Sequence, residues 1–300
     1  HKIVRERTME SSMGFYIVIG SAGMLGTDLM EILQESGLAA VGLDVGEVDI
    51  RSGDSIRKAL ARFDPGVIIN LAAMTDVDGC ETRQEEAFSV NAKGPENLAR
   101  AAARRGDFFV QLSTDYVFDG LSRVPYKEDD PMNPLGMYGK SKAQGELLIR
   151  ELLPDNHCIV RTSWLYGTNG KNFVEAIIDA AQKRPVLNVV NDQRGRPTYT
   201  MDLARAVLGL AEMRTLGTFH VTNSGEATWY DFAVRIVERT GFSHVRVEPT
   251  TTEQLSRPAP RPGYSVLDNS RFVELTGKPL RSWEQALDDY LATRGRKGTP

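Results

Sequence analysis

The stretch from Phe15 to Leu33 restricts the fold more than any other part of the chain. Phe15 to Ile19 is a short, β-branched apolar run that leads straight into Gly20-Ser-Ala-Gly23-Met-Leu-Gly26. Leu25, Leu29, Ile32 and Leu33 then recur near a 3.6-residue spacing, and Gly37 ends the pattern. A strand, a glycine turn and a helix in that order leave the N–H groups of the first helical turn free, with the positive end of the helix dipole behind them. Gly20 permits the tight turn, Gly23 lets a diphosphate approach the backbone, and Gly26 lets helix and strand pack closely. Small residues also make plain turns. The position of G-x-x-G-x-x-G between strand and helix is what points to a dinucleotide.

Asp44 extends the argument. It closes a second apolar run, Ala39 to Leu43, 18 residues after Gly26. An acid at that point holds the adenosine ribose 2′-OH and repels a 2′-phosphate. No Arg or Lys follows before Arg51, so NADH is favoured over NADPH.

Strand and helix patterns then alternate. Ser55 to Phe63 predicts a helix that stops before Pro65, and Val67 to Asn70 a strand. Glu85 to Arg105 predicts one long helix, Phe108 to Leu112 a strand, Tyr138 to Leu152 a helix and Cys158 to Thr162 a strand. The strands are apolar throughout, as expected when helices cover both faces of a parallel sheet. The expected fold is therefore α/β: a Rossmann-type doubly wound parallel sheet over residues 14–163. After Trp164 the pattern loosens. Asn172 to Gln182 and Met201 to Glu212 predict helices, and Val186 to Val190 and Thr218 to Val221 strands. This predicts a smaller interleaved substrate lobe, residues 164–199 and 223–295, with a return to the main sheet at about 200–222. Proline is dense from Pro249 to Pro262, which predicts an irregular surface segment. Residues 1–13 are polar and mixed in charge and are expected to be a leader or tag outside the fold.

Composition narrows the function. Among 300 residues, 36 Lys and Arg face 40 Asp and Glu, for a net charge of −4, which advertises neither nucleic acid nor an anionic membrane as a partner. Two cysteines, Cys80 and Cys158, make no disulfide scaffold, and four histidines share no metal-ligand spacing, so no metal site is expected. No apolar run reaches the roughly 20 residues of a membrane span. A cytoplasmic protein is expected.

Tyr138-Gly-Lys-Ser-Lys142 sets a phenol and an ammonium four residues apart, on one face if the segment is helical. The ammonium is expected to lower the phenol's pKa and make it a usable proton donor. The fourth strand ends in Ser113-Thr114-Asp115, where a hydroxyl can bond a substrate carbonyl oxygen. Thr114 is the first candidate and Ser113 the next. Active groups of open α/β sheets lie at such strand ends.

Together the Gly20 turn, Asn70-Leu-Ala-Ala73, Thr114 and Tyr138/Lys142 resemble the extended short-chain dehydrogenase/reductase superfamily. NLAAMTDVDGCE from Asn70, STDYVFDG from Ser113, RTSWLYG from Arg161, NDQRGRPTY from Asn191 and RPGYSVLDN from Arg261 resemble, within it, the dTDP-4-dehydrorhamnose reductase family. The resemblance implies that a hydride passes from NADH or NADPH to C4 of a 4-keto-6-deoxyhexose linked to dTDP. Tyr138 would donate the proton, Lys142 would also bind the nicotinamide ribose, and Thr114 would bond the ketone oxygen. Gly23, Met24 and Leu25 would line the cofactor phosphates, and Asp49 and Ile50 would flank the adenine. Ala72, Ala73, Met74 and Thr75 would pass beneath the cofactor. Val77, Asp115 and Trp164 match sugar-side positions. Arg194, Arg196 and Lys171 are the nearest cations for the substrate diphosphate. Related proteins are monomers or homodimers.

Three alternatives stand beside this reading. A 4,6-dehydratase is disfavoured because Tyr116, not Glu, follows Thr114-Asp115. A 4-epimerase would consume no reduced cofactor. A regulatory subunit resembling the β subunit of methionine adenosyltransferase would not need the intact Thr114, Tyr138 and Lys142.

Overall fold

The structure, a computed structural model, describes residues 15–64 and 66–297, so the expected leader at residues 1–13 lies outside the described residues. From the first strand the chain runs β1 (Tyr16–Ile19), α1 (Met24–Glu35), β2 (Ala40–Leu43), α2 (Gly53–Leu60) and β3 (Val67–Asn70). It continues through α3 (Val77–Thr82), α4 (Gln84–Phe88), α5 (Gly94–Arg105), β4 (Phe108–Thr114), α6 (Met137–Leu152) and β5 (His157–Thr162). The next elements are β6 (Leu165–Tyr166), α7 (Phe173–Ala181), β7 (Val186–Val190), β8 (Arg194–Gly195), β9 (Thr198–Tyr199), α8 (Thr200–Glu212) and β10 (Gly217–His220). The last are β11 (Ala227–Thr228), α9 (Trp229–Arg239), β12 (Arg246–Thr250), α10 (Thr252–Leu255), α11 (Ser270–Thr276) and α12 (Trp283–Lys297).

Local chemistry sets several of these ends. Ser52 caps α2 by accepting from Ser55 N, with Asp54 in the first turn and Arg57 and Lys58 in the last, as the helix dipole favours. Pro95 opens α5, and Gly106 ends it in the left-handed region at φ 77°.

The main sheet is parallel, in the order β10-β5-β4-β3-β1-β2. The order reverses between β1 and β3, and ligands of open α/β sheets bind at such a reversal, beyond the carboxyl ends of the strands. Alternate strand residues feed two cores. Val18, Ile69, Val110 and Val160 pack under α1 and α8 with Leu29, Leu33, Leu203 and Val207. Ile17, Ile68, Phe109 and Ile159 pack under α2, α5 and α6 with Ile56, Leu60, Leu98 and Ile149. A separate core of Tyr166, Val174, Ile178, Tyr199, Phe232, Ile236, Leu287 and Tyr290 belongs to the later chain. No helix among the described residues is long and apolar enough to cross a membrane.

Three expectations change. The helix expected over 85–105 is interrupted by a π turn at Ser89–Lys93. The proline-dense segment is not wholly irregular: Pro249 sits in β12, which pairs in parallel with β7, and Ala259 is buried. The chain after residue 222, for which the sequence pattern predicts no elements, carries α9, α11 and α12. In α9 the period is nevertheless present, with Phe232, Ala233, Ile236 and Val237 buried on one face.

Candidate active site

The site begins at the glycine turn. Gly20 has φ +82°, and a Cβ there would stand 2.8 Å from Ala72 N, on the neighbouring strand's exit. A Cβ on Gly26 would lie 2.2 Å from the Gly20 carbonyl oxygen and 2.7 Å from Ser21 Cα, so any side chain pushes α1 off the turn. The N-cap of α1 is Gly23, with no side-chain cap and no acid in the first turn, so the helix terminus stays open to an anion.

A cleft of about 970 Å³ opens in front of this turn. Gly20, Gly23, Met24, Leu25, Gly26, Asp44, Asp49, Ile50, Ala72, Ala73 and Thr75 all line it, as does Leu112 at the end of β4. Asp44 Oδ2 accepts from Ser21 Oγ at 2.6 Å and from Ala22 N at 2.8 Å, which ties β2 to the turn. Asp49 holds Arg51 through two bonds of 2.8 and 2.9 Å.

Met74 departs from expectation, for it does not line the cleft. Its peptide is gripped by Asn91, whose Oδ1 accepts from Met74 N at 2.8 Å and whose Nδ2 donates to Met74 O at 3.1 Å. Asn91 also donates to Ser141 Oγ, 3.1 Å away on α6. Asn91 lies in the π turn and is buried, and π-bulges are common at functional sites. The spacing of the sequence gives no sign of it.

Helix α6 delivers Tyr138 and Lys142 to one face. Glu81 Oε1 caps its start by accepting from Met137 N at 2.8 Å. At its other end Glu146 is clamped by the buried Arg161 with bonds of 2.9 and 2.7 Å. Lys142 is buried, and its Nζ donates to Leu112 O at 2.7 Å, beside the inner wall of the cleft. Burial lowers its pKa to about 8, opposed by Glu146.

The expected acidification of Tyr138 is not what the structure holds. Burial raises the phenol well above its ordinary value, and the nearby Thr114 hydroxyl pulls the other way. The ammonium is turned to a backbone carbonyl instead, so the phenol keeps its proton. Thr114 Oγ1 donates to Asp115 Oδ1 at 3.0 Å and accepts from Tyr116 N at 3.2 Å. Asp115 is buried, which pushes its carboxyl up to about 7, and its Oδ2 has no hydrogen-bond partner. Ser113 Oγ is likewise buried without a partner.

Lys142 also lends itself to a stability test. A base with a depressed folded pKa contributes stability that is present above its unfolded value and lost as pH falls through the folded one. From 10.5 to about 8, at about 1.4 kcal/mol per unit, the buried ammonium costs about 3 kcal/mol near neutrality. Lys142→Met should therefore raise the denaturation midpoint at pH 7, with the gap closing toward pH 10. A lower midpoint at pH 7 would contradict this.

On the sugar side, Trp164 adopts φ 50°, a left-handed conformation unusual for a bulky residue. Its indole stacks on Trp229 at 3.6 Å and 8°, and the Gly195 backbone lies against it. Trp229 is a residue that sequence reasoning missed, held through its Nε1 by Gln193 Oε1 at 3.1 Å. Arg196 is half-buried, its Nε is buried without a hydrogen-bond partner, and desolvation lowers its pKa. Arg194 is exposed, and Val77 is the first residue of α3. Lys171, expected beside the substrate diphosphate, lines the cleft of the glycine turn instead. Asp78 was also missed; it binds Arg261 at 3.0 Å through both oxygens and so pins the proline-rich segment to α3.

Comparison with known proteins agrees with this geometry. The family model described as RmlD substrate binding domain matches residues 15–295. A dTDP-4-dehydrorhamnose reductase of Streptomyces griseus is 44% identical over 95% of this chain and 96% of its own. A dTDP-4-keto-6-deoxy-D-glucose reductase of Streptomyces niveus is 39% identical over 91% of this chain and 94% of its own. The crystal structure of dTDP-4-dehydrorhamnose reductase from Bacillus anthracis in complex with NADP is 35% identical, with a TM-score of 0.90 over 93% of this chain and 99% of that one.

Proposed function

The chain belongs to the dTDP-4-dehydrorhamnose reductase family, and on that premise we propose that it reduces the C4 ketone of dTDP-4-dehydro-6-deoxy-L-mannose to dTDP-L-rhamnose with NADH or NADPH. The observation that carries this is one continuous cleft. It runs from the glycine turn to Leu112 at the end of β4, whose carbonyl accepts from Lys142 Nζ, and the same strand carries Thr114 while the helix of Lys142 carries Tyr138. The turn fits a diphosphate: backbone at Gly20 and Gly26 leaves no room for a Cβ, so glycine lets the turn close on α1, and the start of α1 at Gly23 carries no side-chain cap and no acid in its first turn.

In this reading Gly20, Gly23, Met24, Leu25 and Gly26 hold the cofactor diphosphate and Asp44 the adenosine ribose. Asp49 and Ile50 flank the adenine, and Ala72, Ala73 and Thr75 lie beneath the dinucleotide. When bound, the reduced nicotinamide supplies the hydride that reaches C4. Tyr138 keeps its proton on Oη, because burial opposes the phenolate, and gives it to the ketone oxygen as charge develops there. Thr114 bonds the same oxygen, and Lys142 holds the nicotinamide ribose. Arg196, desolvated and with an unpaired Nε, meets the substrate diphosphate. Asp115, Val77 and the indole N–H of Trp164 face the sugar. Residues 164–199 and 223–295 form the substrate lobe around the Rossmann domain.

The test supplies dTDP-4-dehydro-6-deoxy-L-mannose with each reduced cofactor and follows the loss of nicotinamide absorbance. Parallel runs use the 4-keto-6-deoxy-D-glucose diastereomer, named for the Streptomyces niveus relative, and UDP- and GDP-linked sugars. Faster turnover of the D-gluco sugar would move the assignment to that substrate.

We infer a preference for NADH from Asp44. Asp44→Ala should weaken NADH about tenfold while leaving NADPH less affected, read as the ratio of dissociation constants. An unchanged ratio would remove the preference.

A further inference from the structure

We propose that Lys171, delivered by the later lobe, makes the cationic contact to the dinucleotide diphosphate; this rests on the reductase reading above. The dinucleotide brings two diphosphate charges into a cleft whose own side chains are mostly acidic. Asp44, Asp49 and Glu86 line it, against Arg51 and Lys171. Arg51 is already bound to both oxygens of Asp49. Lys171 is exposed and has no ion-pair partner among the described residues.

The loop that carries Lys171 is fixed against the glycine turn. Asn169 Nδ2 donates to Asp28 Oδ1 at 3.3 Å, and Thr200 Oγ1 donates to Asp28 Oδ2, so the buried Asp28 of α1 joins the two halves of the chain. A Cβ on Gly167 would lie 3.1 Å from Met24 Cγ, and one on Gly170 would lie 3.7 Å from Met24 Cβ. Met24 is the first residue of α1, at the open, uncapped helix terminus. On the far side of Lys171, Asn172 caps α7 by accepting from Glu175 N at 3.2 Å and donates back to Gly167 O at 2.9 Å. The backbone on both sides of Lys171 is thus held against the start of α1, and Lys171 lines the same cleft as that open terminus; the terminus is where the diphosphate lies, while Asp44 and Arg51 mark the place of a 2′-phosphate.

This placement makes the contact common to both dinucleotides. In equilibrium titrations followed by protein fluorescence, Lys171→Met should weaken NADH and NADPH by the same factor, about tenfold, as expected for loss of one charge-assisted bond. Lys171→Arg should bind both within about twofold of the parent chain, since the guanidinium keeps the charge. The penalty of Lys171→Met should also shrink as salt rises. Unchanged affinity for both dinucleotides, or a loss confined to NADPH, would overturn the inference while leaving the reductase reading in place. A parent chain that binds neither dinucleotide would overturn the reductase reading, and the inference with it.

Discussion

Replacing Tyr138 with phenylalanine should cut turnover by about 10²–10⁴-fold, the usual contribution of a positioned proton donor, with cofactor affinity unchanged. The substitution removes one oxygen and keeps the ring, which packs edge-on to Tyr116 at 5.7 Å and 77°. The cleft lined by the glycine turn does not include the phenol, so the dinucleotide keeps its contacts. The lost group is the proton source: burial holds the phenol in its acid form. Because the loss is felt in the transition state, kcat and kcat/KM should fall together. Rapid-mixing turnover beside fluorescence titration of NADPH separates the two effects. A Tyr138→Phe variant with parent-like kcat would take proton donation away from Tyr138.

Arg161→Leu should destabilise the fold by about 3–5 kcal/mol, the cost of leaving a buried charge without its partner. Arg161 and Glu146 are each 1% exposed. Arg161 also donates to Glu128 O at 3.2 Å and to His220 Nε2 at 3.3 Å, and it lies over the Phe118 ring. His220 can accept there because its Nδ1 donates to Tyr126 O, the neutral tautomer, and burial with the Arg161 charge lowers its pKa to about 3. The remaining cation on Glu146 is the partly exposed Arg150. Removing both members of the pair, in Arg161→Leu/Glu146→Leu, should recover much of the loss. Urea midpoints for the parent, the single and the double variant check this; a single variant within about 1 kcal/mol of the parent would contradict it.

The pH sign follows from the same residues. Glu146 and His220 both have depressed folded values. Their contributions are present above the unfolded pKa values and are lost as pH falls through the folded ones, so this network weakens in acid. Asp115 acts the other way: its value rises from 3.8 to about 7, so its contribution is lost as pH climbs across that window.

The sequence made the dinucleotide half legible because that half is written in local terms. A glycine between strand and helix, a carboxylate at a strand end and four-residue helical spacing each act within a few residues. A parallel sheet and much of the cleft lining follow from them. What stayed hidden depends on contacts between distant segments. Asn91 reaches Met74 from within a π turn. Trp229 covers the indole of Trp164 from 65 positions away, and Glu81 caps a helix that begins at Met137. Lys171 was legible as a cation for the substrate diphosphate but not as lining of the cleft at the glycine turn, since its place there depends on Asn169 and Thr200 meeting Asp28 of α1. The phenol's acidity was misread for a related reason. Four-residue spacing places Lys142 on the right face, but the Leu112 carbonyl takes its ammonium.

Hydride delivery to the sugar carbon in this cleft is tested most directly with reduced cofactor deuterated at nicotinamide C4 and dTDP-4-dehydro-6-deoxy-L-mannose, followed by proton NMR and mass spectrometry of the nucleotide sugar. The expected product is dTDP-L-rhamnose carrying one deuterium at sugar C4 when the cofactor is labelled on the transferred face. A nucleotide sugar recovered without deuterium from either labelled face, or unreduced while the cofactor stays unoxidised, would contradict the account.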